Sequence, residues 1–118
     1  MREEIYWVYT VTVKPERLAE FKQVVAPLVA ATKEEPGALA YEYHVGDDQS
    51  TVHIFEHYRD SNAVVAHVEQ TFGRFAERFV ALATMTGFTV YGTPTAEARK
   101  ILDGLGAVYM APFDGFTR

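Results

Sequence analysis

The first half of this chain alternates between strand and helix patterns in an order that limits the folds open to it. Residues 4–13 are β-branched and aromatic throughout, which favours a strand. Apolar residues then recur at helical spacing across residues 18–28, and Glu35-Pro36-Gly37 ends that helix. Residues 38–45 and 51–58 are two further strand patterns, separated by a turn-forming segment. A strand, a helix and a hairpin are the opening of a split βαβ arrangement.

The next segment predicts helices followed by a fourth strand. Asp60 or Ser61 caps a short helix that is expected to run through Gln70. Thr71 is expected to cap the helix after it, which carries a strong apolar stripe. Residues 88–91 then form a strand bounded by glycines. The pattern therefore predicts an α+β fold of the ferredoxin-like kind with an antiparallel sheet.

The remaining residues predict an extension of that fold. Thr95 caps a C-terminal helix, and residues 108–110 form a short fifth strand. At 118 residues the chain fits one domain. We expect a single domain over residues 1–118, with a core of about residues 5–92 and a helix–strand extension over residues 93–118.

One face of the predicted sheet lacks a covering layer. Pairing of Val45 with Ser50 is the register expected for the hairpin, and alternation along the strands then assigns each side chain to a face. The face turned away from the helices includes Val8, Ala40 and Phe55, which are too apolar to remain in water. A second copy of the sheet is the simplest cover, so we expect a homodimer.

Composition excludes several classes of function. The chain has no cysteine, which excludes disulfides, thiolate nucleophiles and cysteine-bound metals. Its formal net charge is −5 and it has no cluster of basic residues, so a nucleic-acid partner is not expected. No signal-peptide pattern and no apolar run of about 18 residues occurs, so no membrane association is expected. We expect a soluble, cytoplasmic protein.

Several short motifs, in a characteristic order and spacing, resemble those of the antibiotic biosynthesis monooxygenase (ABM) domain family. In chain order these are Val13-Lys14-Pro15, Phe21, the stretch from Glu35 to Tyr41, the stretch from Phe55 to Asp60, Ala63 and His67. The resemblance runs from about residue 5 to residue 92. It implies a dimeric α+β barrel that oxygenates electron-rich polycyclic phenols or quinols without metal, flavin or haem.

The chain departs from the family pattern at two places. Many members carry a second histidine where this chain reads Gln70-Thr71-Phe72. Residues 93–118 extend past the minimal domain and resemble a longer branch of the family, in which an added helix and strand pack on the dimer. The histidine that ligates haem in haem-degrading relatives has no counterpart in Phe75-Ala76-Glu77-Arg78. No cofactor and no metal are therefore expected.

His67 and Glu56 are the candidate catalytic residues. His67 matches the family's histidine, and an imidazole is suited to take a proton from a phenol. A half-buried histidine bonded to the backbone is the structural alternative. Glu56 falls on an apolar strand face, where a carboxylate needs a partner or a raised pKa. It is expected either to orient His67 or to form a structural ion pair.

Aromatic residues make up the predicted substrate-binding set, together with one amide at the pocket mouth. Hydroxyl groups on an otherwise apolar face suit recognition of a phenol or quinone, and an aromatic core is the structural alternative. The set comprises Trp7, Tyr9, Tyr41, Tyr43, Tyr58, Asn62 and Phe72. His44, His53 and His57 share the opposite face, where a dimer interface is favoured over a metal site.

Two functions follow from these observations. The first is a cofactor-independent monooxygenase that oxidises an aromatic quinol or a polyketide-like phenol with dioxygen. The second is a non-catalytic, dimeric module that binds small aromatics or is associated with stress. Both use the same pocket, and they differ in whether His67 carries chemistry.

Overall fold

The computed structural model describes residues 3–118 and places them in one sheet with helices packed against it. The strands are β1 (Ile5–Val13), β2 (Ala38–Val45), β3 (Thr51–Tyr58), β4 (Ala83–Tyr91) and β5 (Val108–Met110). The helices are α1 (Leu18–Lys33), α2 (Ser61–Ala66), α3 (Ala76–Leu82) and α4 (Ala96–Gly104). The strand order is β2-β3-β1-β4-β5, antiparallel except for the β4–β5 pair. The predicted α+β, ferredoxin-like fold is confirmed.

Strand β1 is the central strand of the sheet, and its side chains alternate between the two faces. Its odd-numbered side chains point towards the helices and are buried, except for the half-buried Tyr9. Phe21 and Leu28 of α1 are buried in the same core. Tyr6 and Val8 point to the opposite face and remain half-exposed. Burial of the helix-facing side chains stabilises the fold by roughly 25 cal/mol for each Å² of apolar surface removed from water.

Strands β2 and β3 form the predicted hairpin, but their register differs from the prediction by two residues. Val45 pairs with Val52 and not with Ser50. Ser50 lies outside the ladder because its hydroxyl donates to the carbonyl of Val13 at 2.7 Å. Its backbone N–H donates to the Asp48 carboxylate at 2.9 Å, which closes the turn. A shift of two residues preserves the alternation, so the side chains keep their predicted faces.

Helix α2 is shorter than predicted and changes its winding. The carboxylate of Asp60 caps it by accepting from the backbone N–H of Ala63 at 2.9 Å. After the helix, the chain continues as a π-helical turn over His67–Thr71. The prediction that Thr71 caps the next helix is wrong. The helical winding continues through Thr71, and its buried side chain makes no capping hydrogen bond. π-Helical turns of this kind are frequent at functional sites.

Strand β4 begins at Ala83, well before the predicted start at residue 88. Gly87, which suggested a boundary, instead pairs with Thr10 of β1. The β1–β4 register shifts between Thr10 and Val11, next to this pair. Gly87 therefore marks a bulge within β4 and not the start of the strand.

The C-terminal extension packs on the same sheet. Thr95 caps α4 as predicted, because its hydroxyl accepts from the backbone N–H of Ala98 at 3.3 Å. Ala98 and Leu102 of α4 are fully buried, in the part of the core that contains Trp7. Strand β5 then adds to the edge of the sheet beside β4. The extension is therefore part of the domain's own core.

Candidate functional site

A small cavity lies between the helix-facing side of the sheet and the helices. Its volume is about 30 Å³, which is enough to hold a water molecule. The residues that line it are Trp7, Tyr9, Tyr41, Tyr43, Ile54, Glu56, His67, Phe72, Phe79, Phe88 and Leu105. Most of these side chains are aromatic, and Glu56 and His67 bring a carboxyl and an imidazole group into an otherwise apolar wall.

Glu56 is a buried carboxyl group on strand β3. Its residue is 6% exposed. Its Oε1 accepts a hydrogen bond from the Tyr58 hydroxyl at 2.5 Å, and the side chain of Trp7 also hydrogen-bonds to it. Burial raises the pKa of Glu56 above its ordinary value of 4.5, while the nearby His67 and the two hydrogen bonds act in the opposite direction. The protein therefore favours the protonated acid at this position.

The raised pKa of Glu56 predicts how stability changes with pH. Above pH 4.5 the unfolded chain releases a proton that folded Glu56 still holds, so this group lowers stability as pH rises towards its folded pKa. Glu56→Gln removes the titration and keeps the shape of the side chain. We expect the free energy of unfolding of the variant, relative to the parent protein, to increase as the pH rises above 4.5.

Urea unfolding at several pH values measures this difference. Glu69→Gln is the matched control, because Glu69 is an exposed glutamate on the helix side of the sheet. The control is expected to lack the pH-dependent gain that Glu56→Gln shows. Stability curves that run parallel for the parent and Glu56→Gln would contradict the assignment.

His67 lies between two carboxyl groups. It begins the π-helical turn and is 2% exposed. Its Nδ1 is 2.9 Å from Oε2 of Glu35, and its Nε2 is 3.5 Å from Oε1 of Glu56. A carboxylate can only accept hydrogen bonds, so the contact with Glu35 assigns the imidazole hydrogen to Nδ1. The Nε2 lone pair of the neutral ring is then available on the side of Glu56 and the cavity.

Tyrosine hydroxyls form the polar part of the cavity wall. The hydroxyls of Tyr41 and Tyr43 are 2.9 Å apart. The ring of Tyr41 lies edge-on to His67, with 5.2 Å between the ring centroids. Burial raises the pKa of Tyr41, Tyr43 and Tyr9 above the ordinary value of 10.0. These side chains are therefore neutral hydrogen-bonding groups at physiological pH.

The structure brings together most of the residues that the sequence predicts for the site. Tyr58 is fully buried behind the wall and reaches the site through its bond to Glu56. Asn62 lies outside, because its position in the first turn of α2 leaves it exposed while Ser61 and Val64 point inward. The predicted residues that line the cavity are Trp7, Tyr9, Tyr41, Tyr43, Glu56, His67 and Phe72.

Sequence reasoning missed Glu35 and four of the lining residues, which are Ile54, Phe79, Phe88 and Leu105. Glu35 was interpreted only as part of the signal that ends a helix, yet its carboxylate holds His67. Leu105, which follows α4, closes the cavity from the C-terminal extension. The acidic residue directly before Pro36-Gly37 was the available signal for Glu35. Nothing in the pattern around Leu105 distinguished it from the other apolar residues of that helix.

The remaining histidines lie on the other face of the sheet. His44 and His53 pair across β2 and β3, and His57 hydrogen-bonds to Glu4 at 2.5 Å. Within residues 3–118 no group of three or more histidine, aspartate and glutamate side chains is arranged to hold a metal ion. No helix in the same range is long and apolar enough to cross a membrane.

The arrangement can both donate and accept protons at one wall of an apolar cavity. A buried acid with a raised pKa and an imidazole held by a second carboxylate are the two partners that general acid–base chemistry needs. Neutral hydroxyls and flat apolar side chains surround them. Such a wall suits an uncharged aromatic or hydroxylated molecule.

Comparison with known protein families assigns the chain. The model of the antibiotic biosynthesis monooxygenase family matches residues 5–78, which is well over half of its length. The chain belongs to this family. The match includes both proposed catalytic side chains and ends before the extension that carries Leu105. No curated protein matches the chain at a significant level.

Several solved structures share the fold of this ABM protein. MupZ from Pseudomonas fluorescens superposes with a TM-score of 0.84 at 20% identity, over 100% of this chain and 91% of MupZ. SnoaB, a cofactor-independent oxygenase from Streptomyces nogalater, has a TM-score of 0.66 at 22% identity, over 80% of this chain and 96% of SnoaB. Rv0793 from Mycobacterium tuberculosis has a TM-score of 0.67 at 17% identity, over 78% and 96%. At these identities the likeness establishes the fold alone.

Proposed function

We propose that this ABM protein is a cofactor-independent monooxygenase that oxidises an aromatic quinol or a polyketide-like phenol with dioxygen. The observation that carries the proposal is the buried imidazole of His67, set between two carboxyl groups at an aromatic cavity. Membership of the family and the likeness in fold to SnoaB, a cofactor-independent oxygenase, agree with it. The substrate is then a molecule that itself supplies the electrons that reduce dioxygen.

In the proposed reaction His67 takes the first proton. Glu35 holds the hydrogen on Nδ1, so Nε2 accepts the proton of a substrate hydroxyl that enters the cavity. The imidazolium that forms is stabilised by the Glu35 carboxylate. Of the hydroxyls of Tyr41 and Tyr43, the one that accepts from the other can donate its own hydrogen to the phenolate oxygen, because burial keeps both protonated. The dry wall favours electron transfer from the phenolate over competing reactions with water.

The oxygen chemistry balances without a further reductant. The phenolate transfers one electron to dioxygen, and the substrate radical and superoxide combine to form a carbon–oxygen bond. Loss of the remaining proton on that carbon breaks the O–O bond and leaves a carbonyl group. The distal oxygen departs as hydroxide and is protonated to water. A methylene group thus becomes a carbonyl group, and the substrate supplies all four electrons.

Substrate entry requires side chains at the cavity to move. A pocket for a drug-sized ligand has a volume of about 300 Å³ or more, whereas this cavity measures about 30 Å³. Phe72 and Leu105 are lining residues that are half-buried and lie outside the strands. They are therefore the side chains we expect to swing away when a fused ring binds.

Oxygen uptake tests the proposed function directly. Chelator-treated protein is incubated with a panel of hydroquinones, naphthohydroquinones and anthrones, and dioxygen is followed with an electrode while products are identified by mass spectrometry. We expect at least one substrate to give one carbonyl product for each dioxygen consumed, with one labelled atom retained from ¹⁸O₂. Heat-unfolded protein controls for autoxidation. Uptake equal to the buffer rate across the panel would contradict the proposal.

A second candidate is acid–base catalysis that uses no dioxygen, such as an isomerisation or a ring closure. The specific observation in its favour is the buried carboxyl of Glu56, whose pKa burial raises, facing the imidazole, because an acid and a base together suffice for such a reaction. Turnover that continues under nitrogen would select this candidate. Binding that quenches the fluorescence of Trp7, the single tryptophan, without any conversion would select the non-catalytic module.

A further inference from the structure

Three titratable side chains form a continuous line from the cavity to the surface. The carboxyl group of Glu56 is 3.5 Å from Nε2 of His67, and Nδ1 of the same ring is 2.9 Å from Glu35. The side chains of Glu56 and His67 are 8% and 3% exposed, whereas that of Glu35 is 16% exposed. Burial thus decreases at the outer end of the line.

The fold fixes Glu35 at the outer end. The residue follows α1, and its backbone N–H and C=O are both engaged, with Thr32 and Ala38. Two positions later, Gly37 packs so closely on α2 that a Cβ there would lie 2.5 Å from the Cβ of Ala63. The glycine therefore permits the close approach that brings the loop and its carboxylate against the helix that carries His67.

We propose that Glu35 is a positioning and proton-relay residue, which connects the buried acid–base pair to solvent through the His67 ring. A proton from Glu56 or from a substrate hydroxyl enters at Nε2, while the hydrogen on Nδ1 passes to the Glu35 carboxylate. Glu35 then releases the proton to water. The ring gains one proton at Nε2 and loses one at Nδ1, so its own charge is unchanged and its hydrogen now lies on Nε2. Transfer in the reverse direction, or rotation of the ring, returns the hydrogen to the side of Glu35.

The groups around His67 make Glu35 the shortest path for a proton from the ring to solvent. From β3 the ring is faced by Glu56 and Tyr58, and from β2 by Tyr41, with 5.2 Å between its centroid and each tyrosine ring. Both tyrosines are neutral hydroxyls, because burial raises their pKa values. Among the described residues, Glu35 is the group within hydrogen-bond distance of Nδ1 that also contacts solvent.

The relay deepens the proposed function, and it can be tested without a substrate. Trp7 hydrogen-bonds to Glu56 and is the single tryptophan, so its fluorescence reports the protonation of that carboxyl. A stopped-flow pH jump then measures how fast protons reach the buried site. Glu35→Gln keeps the acceptor for Nδ1–H but cannot carry a proton, and we expect it to slow the fluorescence response roughly tenfold or more.

Two comparisons separate a relay from a structural role. Glu34→Gln removes the same charge from the adjacent, exposed residue and is expected to respond at the parent rate. In Glu35→Ala, added acetate can replace the lost carboxylate and is expected to restore the rate with increasing concentration, whereas chloride is not. Equal rates for the parent and Glu35→Gln, or a Glu35→Ala variant that acetate leaves slow, would overturn the relay.

The outcome is distinguishable from the outcome of the oxygen assay. Equal rates in a protein that consumes dioxygen would remove the relay and leave the monooxygenase standing. A slowed response in Glu35→Gln, in a protein that consumes no dioxygen with any substrate, would support the relay and remove the monooxygenase. Circular dichroism of each variant confirms that the fold is unchanged before the rates are compared.

Discussion

Replacing His67 with alanine is expected to lower turnover by about 100-fold or more, the contribution of a positioned proton acceptor. The residue is 2% exposed, lines the cavity and contacts both carboxyl groups of the site. Aromatic binding is expected to persist, because the remaining wall consists of apolar and tyrosine side chains. Steady-state kinetics with the substrate identified by oxygen uptake, together with Trp7 fluorescence for binding, measure the two effects separately.

A second variant guards against loss of the fold at this buried position. His67→Gln retains a hydrogen-bonding side chain of similar size, but an amide takes no proton, so it is expected to lose turnover as the alanine variant does. Gln70→Ala is the matched control, since Gln70 is exposed on the same π-helical turn as His67. A folded His67→Gln variant with parental turnover would assign His67 a structural role and would favour the non-catalytic module.

The limits of most secondary elements could be predicted from local chemistry. Clear breaks in secondary structure are signalled by Glu35-Pro36-Gly37 and by the turn at residues 46–49. The predicted bounds of β2 and β3 therefore match the structure. The hairpin register could not be predicted, because it depends on the long-range bond between Ser50 and Val13. The π-helical turn at His67–Thr71 also escaped prediction, since its composition is that of an ordinary helix.

Some residues of the candidate site could also be predicted from local pattern, and others could not. Alternation along the strands placed Trp7 and Glu56 on the helix-facing side, so their common cavity follows from local pattern. The role of Glu35 depends on a contact with His67, which lies 32 positions along the chain. Gly37, two positions after Glu35, allows the loop to approach α2 closely and so favours that contact. Residues that join a site through tertiary packing therefore need the structure.

The sheet face opposite the cavity carries two apolar rows that run across four strands. The first row consists of Phe55, Val8, Thr89 and Val108. The second consists of His57, Tyr6, Tyr91 and Met110. Val108 and Met110 are 60% and 53% exposed, so the extension enlarges this face rather than covering it. We propose that a second copy of the chain packs there, sheet against sheet, as an obligate dimer.

Substituting the centre of that face is expected to separate the two copies. Phe55→Glu buries a charge in each half of the proposed interface and places it opposite Glu42 of β2. We expect it to cost roughly 3 kcal/mol or more per dimer, about a hundredfold or more in Kd. Sedimentation equilibrium at low micromolar concentration measures this, with a dimer expected for the parent and monomers or unfolded chains for the variant.

Val80→Glu, at a 62% exposed position of α3 on the helix side, is the matched control and is expected to remain dimeric. A parent protein that is folded but monomeric would contradict the dimer. A stable Phe55→Glu dimer would show that the copies meet through another surface.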